Sequence, residues 1–158
     1  MTDRYAVIGN PIAHSKSPTI QNAFAAQTGQ DMSYERLLAP RDGLRAAVER
    51  FAAEGGMGLN VTIPFKLEAF ELATETTQRA RLAGAVNTLK RIDGGWLADN
   101  TDGAGLVRDL MHNHGIVVTG QAVAILGAGG AVRGSLKPLL DAGAVSVAVS
   151  NRTMAKAE

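Results

Sequence analysis

Three polar clusters hold the residue types in this chain that could do chemistry on a small molecule. The segment NVTIPFK at 60–66 sets Asn60 and Thr62 two apart on an apolar strand, where alternate side chains share a face. Lys66 follows in the first turn of a helix that Pro64 is expected to open. A lysine in that place works against the helix macrodipole, so it either turns into water or is kept for a task. The segment GNPIAHSKSP at 9–18 carries Asn10, His14, Ser15, Lys16 and Ser17. Ser15 and Ser17 can face one ligand from an extended loop, and hydroxyls at that spacing suit a polyol or a carboxylate. Ser17 serves equally well as a helix cap. His14 has no nameable partner to orient it as a base, and it reads as structural or solvent-exposed. The third cluster joins AGAVNTL at 83–89, with Asn87 and Thr88, to DNTDG at 99–103, with Asn100, Thr101 and Asp102. Asp102 taken alone is as good a helix cap as a functional acid. Together, one Lys and one Asp among Asn, Ser and Thr suit a hydroxylated ligand, uncharged or anionic, with a proton-transfer pair at hand.

A glycine-rich turn names a second ligand. In AVAILGAGGAVRG at 122–134 an apolar strand, Ala122 to Leu126, runs into Gly127, Gly129 and Gly130 and then into a helical stretch. That order lays a pyrophosphate on a helix N-terminus. A second apolar run, Val145 to Val149, ends at Asn151 and Arg152, where a Rossmann unit places its ribose-binding residue. An acid there would bind the 2′-hydroxyl of NAD, whereas a guanidinium suits a 2′-phosphate, so the cofactor reads as NADP. Val132 occupies the third small position of the fingerprint, which should loosen the packing of the helix on its strand or shift it to Ala131.

The elements that must position these groups alternate at α/β rhythm. Strands are expected at Tyr5–Ile8, Tyr34–Leu38 and Gly58–Thr62, and a hairpin at 86–98 turns on Asp93-Gly94-Gly95. Helices are expected from Ser17 to Gly29 with Ser17 as cap, from Arg41 to Glu54, from Pro64, and from Thr101 to His114. The fold class is α/β: an N-terminal substrate domain with a mainly parallel sheet at 1–100, a bridging helix at 101–118, and the start of a Rossmann domain at 119–158. Only two strands and one full helix follow position 120, with a new helix starting at Thr153, so the second domain reads as the front part of a longer one.

Composition narrows the classes. Lys and Arg number 16 against 15 Asp and Glu, which gives no electrostatic reason for nucleic acid or an anionic membrane as partner. There are no cysteines, and the three histidines lack metal-ligand spacing, so no metal is expected. No stretch approaches the roughly 20 apolar residues of a membrane span, and the N-terminus has no signal-like apolar region, so a cytoplasmic protein is expected.

The ordered set GNPIAHSKSP, NVTIPFK, GAVNT, DNTDG, GAGGA and NRT closely resembles the shikimate dehydrogenases, over essentially the whole chain. The resemblance implies a two-domain enzyme, monomeric or homodimeric, that uses NADPH to reduce 3-dehydroshikimate to shikimate in aromatic amino-acid biosynthesis. It implies Lys66 and Asp102 as the catalytic pair, with Lys66 as general acid. Ser15 and Ser17 would hold the substrate carboxylate, and Thr62, Asn87 and Asp102 its hydroxyls. Gly127, Ala128, Gly129, Gly130 and Ala131 would carry the pyrophosphate, and Asn151, Arg152, Thr153 and Lys156 the 2′-phosphate. Two other readings stand beside it: a quinate/shikimate dehydrogenase, against which Arg152 argues, and a truncated, non-catalytic binding fragment.

Overall fold

The apolar run Ala6–Ile8 is buried throughout and forms the middle of β1 (Asp3–Gly9), the strand on which the first of two compact units is built. The computed structural model describes residues 2–156, and for Lys156 the backbone alone. The first unit takes in residues through Thr76 together with Val86–Ala98. In its sheet β1 is flanked in parallel by β2 (Met32–Leu38) and β3 (Gly56–Val61). The sheet continues through β5 (Thr88–Ile92), antiparallel to β3, to β6 (Gly95–Asp99) and the two-residue β4 (Glu75–Thr76). Helix α2 (Leu44–Ala53) buries Leu44, Ala47, Val48 and Phe51, the apolar stripe expected from its 3.6-residue period. Helix α1 (Ser17–Thr28) ends on Gly29, whose φ of 65° is the left-handed cap that glycine supplies without strain.

Two sequence expectations change in this unit. Lys16 occupies the cap position of α1 and Ser17 is its first helical residue, so the hydroxyl of Ser17 is not a cap. Pro64 does not open a helix. The chain turns instead, Phe65 donating its amide to the Thr62 carbonyl at 3.0 Å and burying its ring, and the one-turn helix α3 starts only at Glu68 (Glu68–Glu71). Burial of Phe65 decides the local path, and Lys66 consequently sits in a turn, where the macrodipole argument does not apply.

The second unit comprises Thr77–Ala85 and the chain from Asp99 on. Helix α4 (Gln78–Ala83), which the sequence reading missed, is too short to show a period, although its ends are signalled by Thr77, which caps Ala80 N–H, and by Gly84 in the left-handed conformation. The helix expected at 101–114 divides into α5 (Asp102–Arg108) and a π-helical turn at Asp109–Asn113. Strand β7 (Ala122–Leu126) pairs in parallel with β8 (Ser146–Ser150), and α6 (Gly130–Asp141) connects them. Val118, Leu139 and Ala144 form the core here, with Val123, Ile125 and Val147 packed against it. The opposite face of the two strands is open, Leu126 being 87% exposed. A single 3-10 turn, Met154–Lys156, stands where a new helix was expected at Thr153.

Candidate functional site

In the first unit the polar residues gather where β1 and β3 end. Thr62 follows β3 directly, and its amide donates to the Ile8 carbonyl at 3.0 Å. A Cβ at Gly9 would lie 2.6 Å from Thr62 Cγ2, so glycine is what lets the two strand ends close up. The Val61 amide donates to Asn87 O at 2.8 Å and the Val86 amide to Lys66 O at 2.8 Å, which ties the backbone of both Asn87 and Lys66 to the same end of the sheet. On the loop after β1, Ser15 Oγ accepts from the Ser17 amide at 3.3 Å and donates to Ser17 Oγ at 3.2 Å. Arg36 fixes this loop by donating through two nitrogens, at 3.0 and 2.6 Å, to the Ser15 carbonyl. Ser15, Ser17, Thr62, Lys66 and Asn87 are each partly buried, whereas His14 is exposed.

A hydrogen-bond chain runs across the sheet beneath them. Tyr34 on β2 reaches over β1 and donates to Asn60 Oδ1 at 2.6 Å. Asn60 Nδ2 donates to Thr88 Oγ1 at 3.3 Å and to the Asn87 carbonyl at 3.4 Å, and Thr88 Oγ1 donates to Asn87 Oδ1 at 2.9 Å. Burial pushes the Tyr34 phenol up to about 12, the Ser17 hydroxyl opposing it in part, so Tyr34 stays protonated and remains a donor. Sequence reasoning missed Tyr34 and Arg36. The signal available was their i, i+2 spacing on β2, which puts them on the face that register gives to Val7 and Asn60.

The second unit holds the remaining predicted residues. Thr101 takes the cap position of α5 and Asp102 is its first helical residue, so Asp102 is not the helix cap. Its amide donates to Asn100 Oδ1 at 3.2 Å, and the buried Asn100 side chain donates to Ala85 O at 2.9 Å. Asp99 is gripped by Arg79 and by Thr77 Oγ1 at 2.7 Å, and the Arg79 guanidinium beside it holds its carboxyl below the usual range. No sequence signal singled out Arg79. In the glycine-rich turn, Gly127 has a φ of 117°, a conformation other residues rarely adopt, and a Cβ at Gly129 would meet nothing within 4 Å. The space before the first turn of α6, with Gly130 and Ala131 leading it and Ala128 behind, therefore suits a group lying against backbone amides. The shift of helix-on-strand packing to Ala131, one of the two outcomes expected from Val132, is not made. Ala131 is exposed, while a Cβ at Gly134 would fall 2.6 Å from Asn100 Oδ1 and one at Gly103 2.1 Å from Gly134 O. Asn151 Nδ2 donates to Thr153 O at 2.7 Å, and Arg152 and Thr153 are exposed after β8. The side chain of Lys156 lies outside the described residues. Among those residues there is no cluster of three or more His, Cys, Asp or Glu arranged for a metal, and no helix is long and apolar enough to cross a membrane.

A family profile described as the shikimate dehydrogenase substrate binding domain matches residues 7–89. The chain is 60% identical to shikimate dehydrogenase (NADP(+)) of Thioalkalivibrio sulfidiphilus over 99% of its own length and 58% of that relative. Among solved structures it resembles an Ael1 enzyme from Pseudomonas putida, with a TM-score of 0.91 and 50% identity over 99% of this chain and 58% of the other. It also resembles shikimate 5-dehydrogenase from Thermus thermophilus in complex with NADP(H) and shikimate, with a TM-score of 0.89 and 35% identity over 99% and 58% of the two chains. The chain thus spans a little over half the length of the curated relatives it matches.

Proposed function

From its membership of the family defined by the shikimate dehydrogenase substrate-binding domain, we propose that this chain serves the NADP-dependent, reversible reduction of 3-dehydroshikimate to shikimate. The observation that carries this reading is the gathering of Ser15, Ser17, Thr62, Lys66 and Asn87 at the carboxyl ends of β1 and β3, the edge where parallel sheets bind ligands. In this assignment Ser15 and Ser17 bind the carboxylate, and Thr62 and Asn87 bind ring hydroxyls. The Lys66 ammonium donates a proton to the carbonyl oxygen as negative charge develops there, and Asp102 serves as the second member of the proton-transfer pair and binds a hydroxyl. Gly127–Ala131 with the first turn of α6 would hold the pyrophosphate of NADP, and Asn151, Arg152 and Thr153 its 2′-phosphate; Lys156 is assigned with them on the resemblance alone. When bound, NADPH supplies the hydride that reduces the carbonyl carbon.

The test is NADP-linked oxidation of shikimate by the native-length protein. Turnover is expected, and Lys66→Ala should lower kcat by about 10²- to 10⁴-fold with a smaller change in KM, because a proton donor acts mainly in the transition state. A wild-type protein that leaves shikimate unoxidised defeats the reading, and an unchanged kcat in Lys66→Ala removes Lys66 from the mechanism.

A further inference from the structure

We infer that Arg36 is a specificity-determining residue: its guanidinium sets a positive charge beside the Ser15–Ser17 pair, so the pair prefers a carboxylate to a neutral group of the same shape. That a ligand's carboxylate lies at this pair rests on the shikimate reading. The serines cannot supply the preference themselves. A hydroxyl donates to a carboxylate oxygen and to an amide oxygen alike, and neither serine carries charge. Arg36 stands on β2 at the register position of Val7, which is paired in turn with Asn60, so its side chain leaves the sheet on the face that carries Asn60. Its Nε and Nη2 both donate to Ser15 O, at 3.0 and 2.6 Å. That oxygen and Oγ belong to one residue, so the fork keeps the guanidinium within about 10 Å of any group that Ser15 Oγ binds, the reach of a charge in about 0.1 M salt. The charge is also left uncancelled. A carbonyl accepts the fork without neutralising it, and among the described residues Arg36 makes no ion pair, whereas Arg4, Arg79 and Lys137 each face an acid. Glu35 is next in sequence, but strand alternation turns it to the other face, where it accepts from Arg4 at 2.9 Å. Arg36 is exposed, so water screens its charge and the preference it confers is modest.

Ligand binding to the native-length protein tests this, followed through the Ser15 and Ser17 backbone amide resonances on titration with shikimate and with shikimamide, its neutral carboxamide. Arg36→Gln should weaken shikimate binding about two- to fivefold, the worth of a screened ion pair, and shikimamide binding less, so that the preference for the acid shrinks. Arg36→Lys, which loses the fork and keeps the charge, should retain most of that preference. Arg45→Gln, which removes an equal charge from α2, should leave it at the wild-type value. In the wild type the preference should fall between about 0.01 and about 1 M salt, as the screening length shrinks from about 30 to about 3 Å, and it should fall more steeply than in Arg36→Gln. An equal loss for acid and amide in Arg36→Gln would mean that Arg36 only pins the loop, and it overturns the inference. So do an unchanged preference in Arg36→Gln, parallel salt slopes, or a preference lost as fully in Arg36→Lys as in Arg36→Gln. Binding needs no turnover, so a protein that selects shikimate through Arg36 yet leaves it unoxidised by NADP defeats the functional reading alone. One whose Ser15 and Ser17 amides ignore both ligands defeats both.

Discussion

The two units organise their polar residues in opposite ways. In the first, groups that meet at the strand ends come from segments as far apart as Ser15, Tyr34, Asn60 and Asn87, each held by a partner remote in sequence. In the second, the glycine-rich turn and the Asn151–Thr153 segment are local features at the ends of two adjacent strands, one face of which stays open. A site drawn together from several strands needs the whole sheet to exist before any of it is in place, whereas a strand–turn–helix cradle is complete within one short stretch of chain. Long-range anchoring therefore belongs to the first arrangement and legibility to the second.

Backbone amide exchange should break or confirm that contrast most clearly. In the 158-residue chain, amides of β1 and β3 should exchange on the order of 100-fold or more slowly than those of β7 and β8, since local opening costs run from near zero up to a global stability of about 5–15 kcal/mol. Equal protection in the two sheets would mean that the open face of β7 and β8 carries no penalty. A smaller effect is expected where α6 passes Asn100 in the second unit. Gly134→Ala should destabilise by about 1–3 kcal/mol in urea titration, because the new Cβ would overlap Asn100. Combined with Asn100→Ala the loss should fall short of the sum of the two single losses, and strict additivity would show that the crossing is not what Gly134 relieves. The smallest effect concerns Asp99. Its folded pKa is lowered by Arg79, so its contribution to stability is present above the unfolded carboxylate value and is lost as pH falls through the folded one. Arg79→Ala should accordingly flatten the acid limb of stability below about pH 4, by about 1 kcal/mol or less because Arg79 is 48% exposed. An acid limb of unchanged slope would show that the pair is silent.

Much of the fold was readable because it is local. Alternating apolar runs, Gly29 past a helix end, and the Asp93-Gly94-Gly95 turn each act over a few residues, where backbone preference and hydration decide. The same locality made the glycine-rich turn and its following helix visible, and the polar clusters marked Ser15, Ser17, Thr62, Lys66, Asn87 and Asp102 by type and spacing. Missing from that view were β4, too short for any pattern, and α4, whose caps alone announced it.

By itself, the sequence determined the α/β alternation, the strand–glycine–helix cradle and the chemical kinds of group that gather at the strand ends, because each follows from neighbours within a turn or a strand. Tertiary structure decided which hydrogen bonds those groups make. Phe65 had to be buried, and this took Lys66 out of the helix expected there. Tyr34 met Asn60 across an intervening strand, and α6 came close to Asn100 at Gly134. Hydrogen-bond partners and steric contacts are fixed by residues distant along the chain, and no local preference encodes them.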